Sequence, residues 1–322
     1  NVSMKNKVCQ SCQSDFVVEP DDLVFYERFG VDEPNDCPAC RAKLRLSFRN
    51  ERVFYKRPCD KCGGNPISTY SPDKNFTVYC YDCYFSEDWG AEEYGIDYDE
   101  SKPFFQQFEE LWRKVPKISL MYINSPGSEY TNISADNKKC YYIIESSNNE
   151  DSIHSYWIQE CKEVLDTSVS HKCELTYECD DCYNSYKLAY SKGCHDCSNS
   201  FFLLDCKGCL DCIGCVNLRN KNHHIFNKPY SKEEYEQKKK EFNLETREGV
   251  EKLRREFAEF AKTQPRKYAE IVQTVGSSGN YIKNAKNCKN CFHCYDAEDN
   301  KYGVHIWREA KDTMDCDTAG RN

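Results

Sequence analysis

Residues 206–215 read CKGCLDCIGC, four cysteines spaced by threes. Such a run is a metal cluster, a disulfide knot or the visible edge of a repeating fold, and a longer register favours the repeat. Written in rows of eighteen from Cys161, the chain aligns Cys161, Cys179, Cys197 and Cys215 in one column. A second column holds Cys173, Ser191, Cys209 and Asn227, and a third holds Cys140, Ile158, Thr176, Cys194 and Cys212. Small, half-polar residues at fixed columns are the mark of stacked rungs. The expected fold is a cysteine-rich, three-sided parallel β-solenoid of about 18 residues per coil, in which thiols behave as small hydrophobes at tight inward corners. The threes return at Cys288, Cys291 and Cys294, and residues 302–307 read as a further strand. A competing reading uses the columns as thiol ladders for Zn²⁺, an iron–sulfur cluster or another soft metal at Cys194, Cys197, Cys206, Cys209, Cys212 and Cys215.

The chain has 23 cysteines, an odd number, and many fall in C-x-x-C pairs that converge on a common ligand more easily than on each other. No charged-then-apolar secretory segment opens the sequence, so metal ligation in a reducing, cytoplasmic setting is expected rather than disulfides. No apolar run approaches the ~20 residues that span a bilayer.

Near the N-terminus, Cys9-x-x-Cys12 is followed by Cys37-x-x-Cys40, and Cys59-x-x-Cys62 by Cys80-x-x-Cys83. Two such knuckles supply four soft ligands, the set of a closed structural Zn²⁺ site. With no open coordination position, each site contributes to folding and not to catalysis. Two zinc ions are expected. In the second module, 67–70 and 76–79 alternate as strands about a turn at 71–74, predicting a hairpin that ends near Cys80.

The first quartet sits in a wider pattern: Phe16, Asp21 and Asp22, Phe25 and Tyr26, Gly30 and Pro34, then Cys37, Pro38, Cys40 and Arg41. Over residues 5–45 this resembles a zinc-ribbon (treble-clef-like) domain family of uncharacterised bacterial proteins. The whole chain resembles bacterial proteins that join zinc ribbons to a cysteine-rich repeat. The resemblance implies small zinc-held modules and brings no established activity.

Residues 41–57 carry seven basic residues against one acidic, in a chain whose net charge is −9. Read as a helix, Arg41, Arg45, Arg49, Arg52 and Lys56 fall on one stripe, and five aligned cations repel one another unless an anion faces them. Either the acidic segment 87–100 faces the stripe, or a nucleic-acid backbone does, with Phe48 or Tyr55 to stack.

Residues 101–120 predict an amphipathic connector helix with Phe104, Phe108 and Leu111 on one face, packing ribbon against solenoid. Ser231 to Glu234 is a capping box, and Val250, Leu253, Phe257 and Phe260 mark a second helix, so a helical hairpin interrupts the repeat. It caps the solenoid or engages a protein partner. The expected order is a first zinc module with its basic helix (5–57), a second ribbon with the acidic segment (58–100), the connector (101–120), the solenoid (121–230), the insertion (231–275) and resumed coils with a cap (276–322).

For catalysis, Glu178 and Asp196 share a column, which Glu160 extends, and stacked carboxylates can divide acid and base roles. No companion residues stand beside them, and no nucleophile triad or phosphate loop is recognisable. The sequence therefore predicts a non-enzymatic zinc protein that binds RNA, DNA or a nucleoprotein through 41–57. A protein–protein scaffold is the alternative, with soft-metal handling or a carboxylate hydrolase behind it.

Overall fold

The computed structural model describes residues 4–306, 310 and 313–319, the last three of these without their side chains. The protein is mainly β. Its helices are α1 (Pro20–Phe29), α2 (Pro38–Leu46), α3 (Tyr81–Tyr84), α4 (Phe104–Lys114), α5 (Lys232–Glu241) and α6 (Arg247–Lys262). None of these is long and apolar enough to cross a membrane. The chain divides into two compact units, one of Glu51–Pro265 and one joining Asn1–Asn50 to Arg266–Asn322.

The larger unit is built on a ten-stranded sheet in which every pairing is parallel except the last. Each residue pairs with the one twelve positions on: Glu174 with Tyr186, Tyr186 with Ser198, Ser198 with Leu210. Four successive triplets obey the same offset, through Ser168–Asp180, His171–Tyr183, Glu174–Tyr186 and Tyr177–Ala189. Within each triplet the roles are fixed. One residue bridges to its neighbour twelve on. The next adopts a left-handed backbone, as at Asp181 (φ 55°), Asn184 (φ 50°) and Lys187 (φ 49°). The third is buried, as Cys179, Cys182, Ser185 and Leu188 are. The left-handed residue turns the chain, and Asn, Asp and Gly tolerate that conformation best.

The eighteen-residue, six-per-side register is therefore corrected to twelve residues in four triplets. Buried side chains from Cys140 to Cys215 form one continuous core. Its chemistry explains the cysteines. The amide of Cys182 donates to Ser170 Oγ at 3.3 Å, that of Leu203 to Ser191 Oγ at 3.0 Å and that of Cys212 to Ser200 Oγ at 3.0 Å. Each of these inward serines thus accepts from the amide twelve residues on. Inward side chains also donate to the carbonyl two residues back: Ser200 Oγ to Ser198 O at 2.7 Å, Cys206 Sγ to Leu204 O at 3.5 Å. A small side chain with a polar atom one bond beyond Cβ meets both demands, and Ser, Thr and Cys are the residues that have one.

Some left-handed positions carry residues poorly suited to them. Val169 sits at φ 49°, where a β-branched side chain is strained. Replacing it by Asn should raise stability by about 1 kcal/mol, read as a rise of a few degrees in the melting temperature; a fall would contradict the triplet geometry.

The second cysteine module adjoins this ladder. The hairpin expected between 67–70 and 76–79 does not form. Ile67–Ser68 pairs antiparallel with Tyr55–Lys56 across the Cys59–Cys62 knuckle, and Val78–Tyr79 pairs parallel with Lys117–Ile118. The chain reverses at the knuckle, so the strand before it takes the partner assigned to the strand after. Helix α4 meets the module through Trp112, whose ring lies 5.0 Å from Phe76. Phe104 and Phe108, however, are 55% and 50% exposed and Leu111 is half-buried, so the expected connector face is largely uncovered. The hairpin of α5 and α6 packs on the outside of the last strands, burying Tyr235, Leu253 and Phe202 among Ile213 and Ile225. Gly214 leaves room there, since a Cβ would meet the Phe226 ring at 2.9 Å.

In the smaller unit, the strands Lys5–Val8 and Asp15–Val18 form an antiparallel hairpin ahead of α1 and α2. Five parallel strands between Ile271 and Ala319 resume the triplet pattern, with Gly279 paired to Cys291 and Ile282 to Cys294. Offsets of eleven (Ile271–Ile282) and thirteen (Val304–Asp317) interrupt the rule. Of the strand expected over 302–307, Val304–Ile306 is present and Trp307 lies outside the described residues. Asp22, 3% exposed, binds Lys301 at 2.5 Å and accepts from the Glu19 amide at 3.1 Å, fixing the start of α1.

Candidate metal centres

Each predicted quartet comes together: the Sγ atoms of Cys9, Cys12, Cys37 and Cys40 lie within 4.8 Å of one another, as do those of Cys59, Cys62, Cys80 and Cys83. Cys12 and Cys37 are 3.8 Å apart, Cys62 and Cys80 3.9 Å. A tetrahedron of sulfurs about 2.3 Å from a central ion has edges of about 3.8 Å, so the donor sets fit a four-thiolate ion such as Zn²⁺.

Local folding places these donors. One cysteine of each quartet opens a helix, Cys37 at α2 and Cys80 at α3, and the last ligand of each, Cys40 or Cys83, lies in the first turn of that helix. The Cys37 amide donates to Cys9 Sγ at 3.3 Å and the Cys80 amide to Cys59 Sγ at 3.2 Å. These bonds tie each knuckle to its partner and stabilise thiolate charge. The Cys12 thiol is held down at about 6 by hydrogen bonds from Ser14. Burial raises Cys59, but the amides of Cys62, Cys80 and Lys61 outweigh it and bring the thiol to about 6. Lys61, between Cys59 and Cys62, donates to Ser86 Oγ at 2.9 Å and pairs with Asp88.

The ladder thiols are a different case. Among the described residues, the groups compact enough to hold an ion are the two N-terminal quartets. Cys194, Cys197, Cys206, Cys209, Cys212 and Cys215 are all buried. They spend their polar atoms on the backbone: Cys206 Sγ reaches Cys215 O at 3.5 Å, and Cys215 Sγ reaches His224 O at 3.4 Å. Burial pushes the Cys194 thiol well above its ordinary range, while hydrogen bonds from neighbouring thiols pull Cys209 and Cys215 below it, so it is the geometry and not the acidity of these thiols that sets them apart from the quartets.

The cationic stripe is divided. Helix α2 ends at Leu46, so it carries Arg41 and Arg45 only, and Arg52 and Lys56 belong to the other unit. The run predicted as one helix breaks at Ser47–Asn50, where turn-forming residues follow. Arg41 binds Asp315 at 2.5 Å, and Arg45 lies 3.9 Å from the same carboxylate. Arg49 is half-buried, Arg52 stacks 3.7 Å over the Tyr156 ring, and Lys56 is exposed in a short strand. The counter-anion of Arg41 is thus Asp315, while in the 87–100 segment Asp88 pairs with Lys61. Sequence reasoning missed Asp315, which lies 274 residues from Arg41. Asp315→Ala should cost about 2 kcal/mol, the scale of a charge-assisted hydrogen bond. An unchanged melting temperature would show the pair to be idle.

The carboxylate column dissolves in the twelve-residue register, where eighteen residues are one and a half repeats. Glu178 accepts from Arg254 at 2.9 Å, Asp196 from Asn184 at 3.3 Å, and Glu160 pairs with His171 at 3.0 Å. Glu178 and Asp196 are not brought together as an acid–base pair. In comparisons with known proteins, no family model matches the chain and no curated protein matches it significantly.

Proposed function

We propose that the protein is a non-catalytic scaffold in which two zinc-ribbon-like modules, each holding one Zn²⁺, precede in sequence a four-sided β-solenoid of twelve-residue coils that binds protein partners. One observation carries this reading: the chain's own α5–α6 hairpin is seated on the outer face of the parallel ladder. That face already serves as a receiving surface for helices. The pairing of Arg41 and Arg45 with Asp315 and of Arg52 with Tyr156 weighs against nucleic acid as the main ligand.

Native purification from a cell that makes the protein separates the readings. A scaffold co-purifies with a protein partner in fixed ratio, resistant to nuclease. A nucleic-acid binder instead carries nuclease-sensitive material and loses affinity with a log–log salt slope of several units. That loss should be complete in an Arg45→Glu, Arg49→Glu, Arg52→Glu variant. The second outcome would replace the scaffold reading.

A further inference from the structure

An apolar column runs along the outside of the ladder. Tyr141, Ile153, Leu165, Tyr177, Ala189 and Phe201 pair in sequence, each twelve residues from the last, and Ile213 and Ile225 continue it. These are bridging positions, whose side chains face away from the core, where a polar residue is expected. The chain covers one end itself: Ile213 is 0% and Ile225 5% exposed beneath the α5–α6 hairpin. At the other end Tyr141, Ile153 and Leu165 are 41%, 40% and 37% exposed. One continuous surface is thus half-occupied.

The occupied half shows what fits. Arg254, Phe257 and Phe260 of α6 meet Tyr190, Phe202 and Phe226 in the neighbouring left-handed column, at 4.9, 5.8 and 5.2 Å. The helix therefore runs along the ladder from Tyr190 to Phe226. Arg254 also closes on Glu178 at 2.9 Å, placing a cation at the acidic edge. Asp166, twelve residues before Glu178, continues that edge in the open half, and Glu163 lies on the opposite flank of the apolar column; both are exposed. His154 lies 3.8 Å from Asp166. Phe54 on Tyr142, with rings 5.4 Å apart, bounds the far end.

We propose that the open column from Tyr141 to Tyr177 is the docking site for a basic amphipathic helix of a partner protein. It would lie along the ladder as α6 does, apolar face on Ile153 and Leu165 and cations toward Glu163 and Asp166. Three steps of ~4.8 Å give a seat of ~14 Å, about ten helical residues. This rests on the scaffold reading and specifies its surface.

The test uses the full, metal-loaded chain and a fluorescent helical peptide with leucines on one face and lysines on the other, against a counterpart with glutamates for lysines. The lysine peptide should bind at least tenfold more tightly. Ile153→Asp with Leu165→Asp should weaken it at least tenfold, and Glu163→Gln with Asp166→Asn should narrow the gap between peptides. Phe105→Asp on α4 should leave binding unchanged. The substituted side chains face outward, and an unaltered melting curve confirms that the variants fold. Equal binding of both peptides, or full binding by the Ile153/Leu165 variant, would overturn the proposal. So would self-association of the wild type that this variant abolishes, because the occupant would then be a second copy. If natively co-purified protein partners are retained by the variant, the docking site fails while the scaffold stands; if there are no partners, the scaffold itself fails.

Discussion

Stripping the metal from the natively purified protein will unfold both cysteine modules while leaving the ladder largely paired. Ion binding contributes on the order of 10–16 kcal/mol to small zinc-held folds near neutral pH, more than their modest cores supply. The first quartet closes on only a hairpin of two four-residue strands and the start of α2, and the second on two-residue strands and α3. Without the ion, four thiols converge with little else to hold them. Chelation should therefore make residues near 9–40 and 59–83 exchange their amide hydrogens freely and become sensitive to protease. Cys140–Cys215, bonded along the ladder, should stay protected. Exchange unchanged by chelation would mean that the quartets fold without metal.

Substituting Cys206 will separate the two roles a cysteine can have here. This side chain is 0% exposed, and its thiol reaches the carbonyls of Leu204 and Cys215, both at 3.5 Å. Serine performs the same hydrogen bonding at Ser185, Ser191 and Ser200, so Cys206→Ser should cost no more than about 1.5 kcal/mol. Leucine adds volume in a filled column between Cys194 and Leu218 and removes the polar atom. Overpacking costs about 1–3 kcal/mol and unmet backbone groups about 1–3 kcal/mol more, so Cys206→Leu should lose about 4 kcal/mol in denaturant unfolding. Equal losses for Ser and Leu would contradict the hydrogen-bonding account.

Much of this architecture is visible in the residues. The two quartets were legible because C-x-x-C pairs act locally, and the capping box at Ser231 because its partners are three residues apart. The repeat was legible, but its length was not. Eighteen and twelve are both multiples of three, and every third residue faces inward. Columns of small residues therefore appear in either register, and cysteine spacing alone cannot distinguish them. The left-handed positions, Asp181, Asn184, Gly193 and Asp196 among them, recur with the same period of three, so they mark the triplet and not the coil length, which the pairing of Glu174 with Tyr186 and Tyr186 with Ser198 sets. The carboxylate column failed for the same reason. The cationic stripe failed because its periodicity continued past the residues that end α2, and because Asp315 is brought to Arg41 by the fold alone.

The central claim is that metal belongs to the quartets and the ladder thiols are core. Element-resolved metal content per chain, on natively purified protein, tests it most directly. The account predicts two zinc ions, one lost in Cys9→Ser, the other in Cys59→Ser, and neither in Cys206→Ser or Cys209→Ser. A content clearly above two, or a loss on changing a ladder cysteine, would contradict it.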